Sequence, residues 1–165
     1  MVMGPTHAMS GAAAGLAMAA VLPPEWGGPT TVAGAFVFAG VTAGAALLPD
    51  LDSPQATIAR SFGPVSQAAA HVVENVSQGF CNMTGSRRDD HCNNGHRTAT
   101  HTVLFAVAAG VATGALVQWF GKNAAIGILF VMLGLALRGL FPKWAKKNDW
   151  LVVTAVSAGA AAVAW

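Results

Sequence analysis

The sequence has few charged residues. They make up 10% of the 165 residues, against about 25% in soluble domains, whereas hydrophobic residues make up 54%. Nine Lys and Arg against seven Asp and Glu leave a formal charge of +2, and this excludes a general nucleic-acid binder, which needs a clustered basic face. A chain this apolar with so little net charge is also not disordered. The composition therefore argues against an ordinary soluble domain.

The charges are confined to particular segments. Five stretches together hold a single charged residue, Arg138. These stretches are residues 8–22, 31–48, 102–120, 124–141 and 150–165. A transmembrane helix needs about 20 apolar residues, with a range of about 17–25, so the middle three stretches are long enough and the outer two are short. We predict an all-α, multi-pass transmembrane bundle of about four to five spans, in which residues 1–165 form one integral membrane domain.

Two further features favour a membrane-embedded helical bundle over a soluble helical protein. Residues 127–141 are apolar around the whole helix circumference, which leaves no face for water. Glycine pairs four residues apart place small notches on one helix face, as close packing in lipid requires. These pairs are Gly11/Gly15, Gly40/Gly44 and Gly110/Gly114. Because no Lys or Arg precedes Arg60, the first stretch lacks the basic region of a signal peptide, and we expect a retained helix.

The basic residues predict the orientation. With a cytoplasmic N-terminus, eight Lys and Arg lie in or beside the inner segments 1–7, 49–101 and 142–149, and only Lys122 lies outside. Such a bias follows the positive-inside rule. We therefore expect a bacterial inner membrane protein with its N-terminus in the cytoplasm and its C-terminus outside.

The segment 49–101 is the one sizeable polar region and carries nine of the sixteen charges. Within it, residues 58–80 place apolar side chains three or four apart, which predicts an amphipathic helix at the inner interface. His71 and Glu74 in this helix are interpreted as a solvated polar face. A zinc site of Cys81, His91, Cys92 and His96 has no common ligand spacing, so both cysteines are most simply free thiols. The role of His91 is left open.

Two carboxylates follow the second span. In the segment Leu-Leu-Pro-Asp-Leu-Asp (47–52), Pro49 should stop the helix at about Leu48. We expect Asp50 and Asp52 to continue in an extended segment, where alternate side chains point the same way. On this motif alone, a solvated helix end and a metal-binding pair are equally good interpretations.

Histidines stand at two other predicted helix ends. His96 and His101 lie just before the third span, and five residues of regular helix would turn them about 140° apart. Both can bind one ion if His96 belongs to the loop and His101 to the first helical turn, with Thr98 or Thr100 as the cap. His7 stands at the head of the first span. The topology, assigned from Lys and Arg alone, brings all of these groups to the cytoplasmic side.

These residues resemble the signature of the YdjM-like membrane-bound metal-dependent hydrolases. The resemblance covers the first three spans in order and rests on Thr6-His7 with Gly11 and Gly15, on 47–52, and on His-Arg-Thr-Ala-Thr-His-Thr (96–102). The family usually has Gly at position 98 and Ser at position 102, where this chain has Thr at both. The resemblance implies metal ligation by five residues. These are His7, Asp50, Asp52, His96 and His101.

The leading hypothesis is a metal-dependent hydrolase with its site at the cytoplasmic face. A divalent ion, zinc before manganese or iron, lowers the pKa of bound water towards about 7. Asp52 is then a candidate general base and Arg97 a candidate partner for an anionic substrate group. A phosphoester or lipid-derived substrate fits a site at the membrane surface. The alternative is a non-enzymatic membrane protein with a structural metal site or a partner-binding role, and a transporter is less favoured because Arg138 lies near a helix end, where it can snorkel.

Overall fold

A computed structural model describes residues 3–52 and 102–164, together with three single positions between them, Gln67, His71 and Asn75. Every regular element in these residues is helical. Five α-helices are described: α1 (Met3–Val21), α2 (Val32–Ala45), α3 (Val103–Leu140), α4 (Pro142–Lys147) and α5 (Asp149–Ala164). Short 3-10 turns occupy Pro24–Trp26 and Leu48–Asp52. The all-α prediction is therefore confirmed for the described part of the chain.

The chain divides into two compact units. The first unit contains residues 1–47 and 116–165, and the second contains residues 48–115. The first unit thus contains α1, α2, residues 116–140 of α3, α4 and α5. The second unit contains the Leu48–Asp52 turn and residues 103–115 of α3.

Threonine hydroxyls begin two of the apolar helices. Thr31 precedes α2, and its side chain accepts a hydrogen bond from the backbone N–H of Gly34 at 3.0 Å. Thr102 precedes α3, and its hydroxyl accepts a bond from the N–H of Phe105 at 3.2 Å. Each bond satisfies an N–H that has no partner within the helix. The observed cap of α3 is Thr102, so the prediction of Thr98 or Thr100 as the cap is wrong.

Two helical runs in the described residues are long and apolar enough to cross a membrane. They are Val32–Asp50, with 19 residues, and Val103–Leu140, with 38 residues. The predicted spans 8–22 and 150–165 correspond to α1 and α5, which are helical but do not meet the same test of length and hydropathy. Two candidate membrane-spanning helices are therefore supported in the described residues, and the four to five spans of the sequence prediction stay a prediction.

The longest helix contains one break. A continuous helix of 38 residues would be about 57 Å long, nearly twice the hydrocarbon thickness of about 30 Å. Gly121 has φ 58° and ψ −136°, which is not helical. Glycine adopts a positive φ without the penalty that a Cβ imposes. The break falls within the 121–123 connection that the sequence predicted between two spans.

Small residues bring α1 and α2 together as an antiparallel pair. A Cβ built on Gly11 would lie 2.6 Å from the Cβ of Ala46, and one built on Gly15 would lie 2.8 Å from the Cα of Ala39. Real Cβ atoms essentially never come within 3.0 Å. The helix backbones are therefore in direct contact at both glycines, as the predicted Gly11/Gly15 notch requires.

The second part of α3 packs against α2 in the same way. A Cβ on Gly44 would lie 2.8 Å from the carbonyl carbon of Met132, and a Cβ on Gly40 would lie 2.6 Å from Leu133 Cδ2. Leu47 is fully buried and contacts Gly139. Leu47 lies just after α2 and Gly139 lies near the end of α3, so their contact places the ends of these two helices together.

Helix α1 reaches the same place. A Cβ on Gly139 would lie 2.8 Å from the Cβ of Ala8 and 2.9 Å from Leu47 Cδ1, and Ala8 is fully buried. The start of α1, the end of α2 and the end of α3 therefore meet around Gly139. We call this region the shared end of the first unit.

Helix α5 returns along α3. Val152 and Val156 form a buried cluster with Ala145 of α4, and Phe130, Leu133 and Leu137 of α3 pack against it. Arg138 near the end of α3 pairs with Asp149 at the start of α5. The chain therefore leaves α3 at the shared end, makes the short α4, and runs back antiparallel to α3.

Replacement of Gly44 by Ala tests the backbone contact between α2 and α3. The added methyl must displace backbone atoms of Met132, so we expect a loss of about 1–3 kcal/mol in stability, which is typical of overpacking. Thermal unfolding in detergent measures the change. Gly127→Ala in α3 is the matched control, because no described atom lies within 4 Å of its built Cβ. Equal midpoints for the two variants would contradict the packing.

Candidate functional site

His7 lies near the beginning of α1 and at the shared end. Its side chain is half-buried, and its neighbour Ala8 packs against Gly139. The hydroxyl of Ser10 donates to the carbonyl oxygen of His7 at 2.9 Å. Packing of Ala8 against Gly139 thus fixes the start of α1. As the sequence predicted, the start of the first span lies beside the end of the second span.

Asp50 and Asp52 lie in a 3-10 turn, Leu48–Asp52, and the expected extended segment is not observed. Asp50 is half-buried. The prediction of an extended backbone at these residues is therefore wrong. The helical turn continues past Pro49 because proline fits the first positions of a helix, where no N–H bond is needed.

Three predicted site residues lie outside the described residues. These are His96, Arg97 and His101, and Cys81, His91 and Cys92 also lie there. The described residue next to them is Thr102, which caps α3. The described part of this helix begins at Val103, and the predicted place of His101 in its first turn stays a prediction.

The predicted amphipathic helix 58–80 is described at three positions. Gln67, His71 and Asn75 are helical and exposed. They are four residues apart and so share one helix face. This agrees with the interpretation of His71 as part of a polar face, and the other positions of that segment lie outside the described residues.

The described residues contain no group of three or more His, Cys, Asp or Glu side chains that is arranged to hold a metal ion. Of the five predicted ligands, the side chains of His7 and Asp50 are described, and they belong to different units. The convergence of the five ligands therefore stays a prediction.

The sequence analysis missed a charged contact at the shared end. Arg138 forms an ion pair with Asp149, and the arginine side chain is 12% exposed whereas the aspartate is 66% exposed. We expected Arg138 to extend towards the membrane surface, but its side chain is largely buried and paired with Asp149. An acidic residue eleven positions further along, just after the short Pro142–Lys147 segment, is the signal in the sequence that indicates this pair.

Comparisons with known proteins identify one relationship. A family model described as YdjM inner membrane protein matches residues 1–141, which is most of the chain and includes α1, α2 and α3. Searches among curated proteins and among solved structures find no match. The family description and the two long apolar helices agree on a location in the inner membrane. The chain is therefore a member of the YdjM inner membrane protein family.

Proposed function

We propose that this protein is a five-span inner membrane hydrolase that uses a divalent metal ion bound at its cytoplasmic face. The observation that carries the proposal is the meeting of α1, α2 and α3 at Gly139, which gives His7 and the end of α2 a common location. The argument has three steps, concerning the path of the chain, its orientation and the chemistry of the side chains.

The path of the chain follows from helix direction. Helix α2 and the second part of α3 both end at the shared end, so the chain must cross between them. The first part of α3, about 18 residues before Gly121, is about 27 Å long, which is nearly the thickness of the hydrocarbon. A reversal at Gly121 then gives five crossings by α1, α2, the two parts of α3 and α5. The outer helices α1 and α5 are short, but a difference between helix length and hydrocarbon thickness costs only a fraction of a kcal/mol per ångström, roughly.

The orientation follows from charge. Lys143, Lys146 and Lys147 come directly after α3 at the shared end, and only Lys122 lies beside the reversal at Gly121. Positively charged segments stay in the cytoplasm. The shared end is therefore the cytoplasmic end in this proposal, and the N-terminus is inside.

The proposed ligands then belong to one membrane surface. His7 is at the shared end, and Asp50 follows the buried Leu47 by three residues, which span at most about 10 Å. His101 immediately precedes the cap of α3 in the sequence. Imidazole and carboxylate together form the donor set of zinc, manganese and iron sites. The proposed ligands are His7, Asp50, Asp52, His96 and His101.

Two polar side chains, Asp52 and Arg97, are assigned to catalysis in this proposal. A divalent ion in such a site supplies Lewis-acid activation of water. Because five candidate ligands exceed the three that a catalytic zinc site uses, one carboxylate is available as general base, and we assign this role to Asp52. Arg97 orients an anionic group, since its planar guanidinium matches phosphate oxygens. The substrate class in this proposal is a phosphoester or a lipid-derived ester.

Accessibility of introduced cysteines tests the five-span path. In a Cys81→Ser/Cys92→Ser background, we expect Lys122→Cys to react with a membrane-impermeant maleimide in intact spheroplasts, because it lies beside the outer reversal. Lys146→Cys should react only after permeabilisation. Reaction of both cysteines from the same side would contradict the path through Gly121.

Metal analysis of purified protein tests the ligand set. Loss of a residue that only hydrogen-bonds to a metal ligand lowers metal affinity by about 10–100-fold. Removal of two proposed ligands in His96→Ala/His101→Ala should therefore cost at least about 90% of the bound metal. His71→Ala removes an exposed imidazole outside the proposed set and should keep the wild-type content. If the double variant and wild type carry equal metal, the mechanism is wrong.

Turnover separates the enzyme from a structural metal site. Phosphatase, esterase and phospholipase assays with Zn²⁺, Mn²⁺ and Mg²⁺ should detect activity that Asp52→Asn lowers by about 100-fold or more, as loss of a general base does. Cys81→Ser, outside the proposed machinery, should retain it. Metal-loaded wild type without turnover in every assay would favour the non-enzymatic alternative.

A further inference from the structure

Helix α4 presents a basic face at the shared end. Ala145 is 2% exposed and packs against Val152 and Val156 of α5. Successive residues of a helix are about 100° apart, so Lys143, Lys146 and Lys147 fall on an arc of about 100° opposite Ala145. All three lysines are exposed. Because Ala145 is buried against α5, the three lysine side chains point away from the helix packing.

Asp149, the described acidic residue nearest in sequence to the three lysines, forms its ion pair elsewhere. Asp149 follows Lys147 by two residues but pairs with Arg138 of α3. The ion pair neutralises the guanidinium at the end of α3. The surface formed by Lys143, Lys146 and Lys147, which we call the lysine face, thus keeps its positive charge.

Aromatic side chains border the lysine face. Phe141 is 56% exposed and Trp144 is 47% exposed. Tryptophan, whose ring carries a polar N–H, is enriched at the level of lipid headgroups, and juxtamembrane lysines attract anionic lipids. Lysine and aromatic residues together are the composition expected at an anionic membrane surface.

An apolar groove of about 250 Å³ runs along the helices next to this face. It is formed by α2, the second part of α3 and α5, and Leu140 lines it immediately before Phe141 and the lysine face. Phe36, Gly40, Ala155 and Gly159 line other parts of the groove. The small residues Gly40, Ala155 and Gly159 leave an apolar space between these helices, and its lining is chemically suited to an alkyl chain.

We propose that the lysine face and the groove together bind one anionic phospholipid of the inner leaflet. The lysines hold the phosphate headgroup, and an acyl chain lies in the groove between α2, α3 and α5. The charge of the lysine face selects the anionic headgroup, and the groove selects a lipid over a soluble phosphate. The site uses none of the proposed metal ligands, so it requires membrane insertion but not hydrolysis.

Lipid binding by the purified, metal-stripped full chain tests this site. Native mass spectrometry in detergent would measure the apparent Kd for dioleoylphosphatidylglycerol and for dioleoylphosphatidylcholine. We expect Lys143→Gln/Lys146→Gln/Lys147→Gln to weaken phosphatidylglycerol binding at least about tenfold and to leave phosphatidylcholine binding unchanged, since each lysine near an anionic surface contributes severalfold. Lys122→Gln, beside the break at Gly121 in the middle of α3, is the control and should bind as wild type does.

A second variant tests the groove. Ala155→Phe fills it from α5 and should weaken both lipids by a similar factor, without a change in headgroup preference. Inorganic phosphate should raise the unfolding temperature less than phosphatidylglycerol does. Equal loss of both lipids in the triple glutamine variant, wild-type binding by Ala155→Phe, or equal stabilisation by inorganic phosphate would overturn the proposal. Because metal is absent throughout, these outcomes are independent of hydrolase activity.

Discussion

Close approach of helix backbones at small residues holds the first unit together. At Gly44 the backbone of α2 touches the backbone of Met132, and at Gly139 the ends of three helices come together around a residue without a side chain. In lipid there is no hydrophobic drive between helices, because acyl chains are as apolar as leucine. Association then depends on dispersion contacts, which are strong only when the surfaces approach closely. The glycines provide that approach.

This constraint also positions the chemistry. The side chains that distinguish the protein from a plain bundle lie near the ends of the helices that meet at Gly139. His7 precedes Ala8, and Arg138 precedes Gly139 itself. A polar residue beside a packed small residue is held in place by its neighbour. The packing and the candidate site therefore depend on the same few positions.

Much of the helix packing is readable from the sequence because its determinants are local. Glycines four apart at 11/15 and 40/44 predict contact faces, and both pairs lie at interfaces, whereas a Cβ on Gly110 or Gly114 meets no described atom within 4 Å. The break at Gly121 is predicted by the short polar interruption between two apolar runs. The 3-10 turn at Asp50 and the Arg138–Asp149 pair were not predicted. Both depend on how the chain continues after a helix, and periodicity carries no information about such continuations.

The Arg138–Asp149 pair has a consequence for recognition. It joins the two ends of the ten-residue segment 139–148, which contains α4, and so it limits the conformations open to that segment before any ligand arrives. Side chains on a preorganised segment lose less conformational entropy on binding than side chains on a free loop. In the proposed lipid site, a charge pair that contacts no ligand would thereby increase the affinity of the lysine face that it encloses, and loosening it would weaken recognition without removing a single binding group.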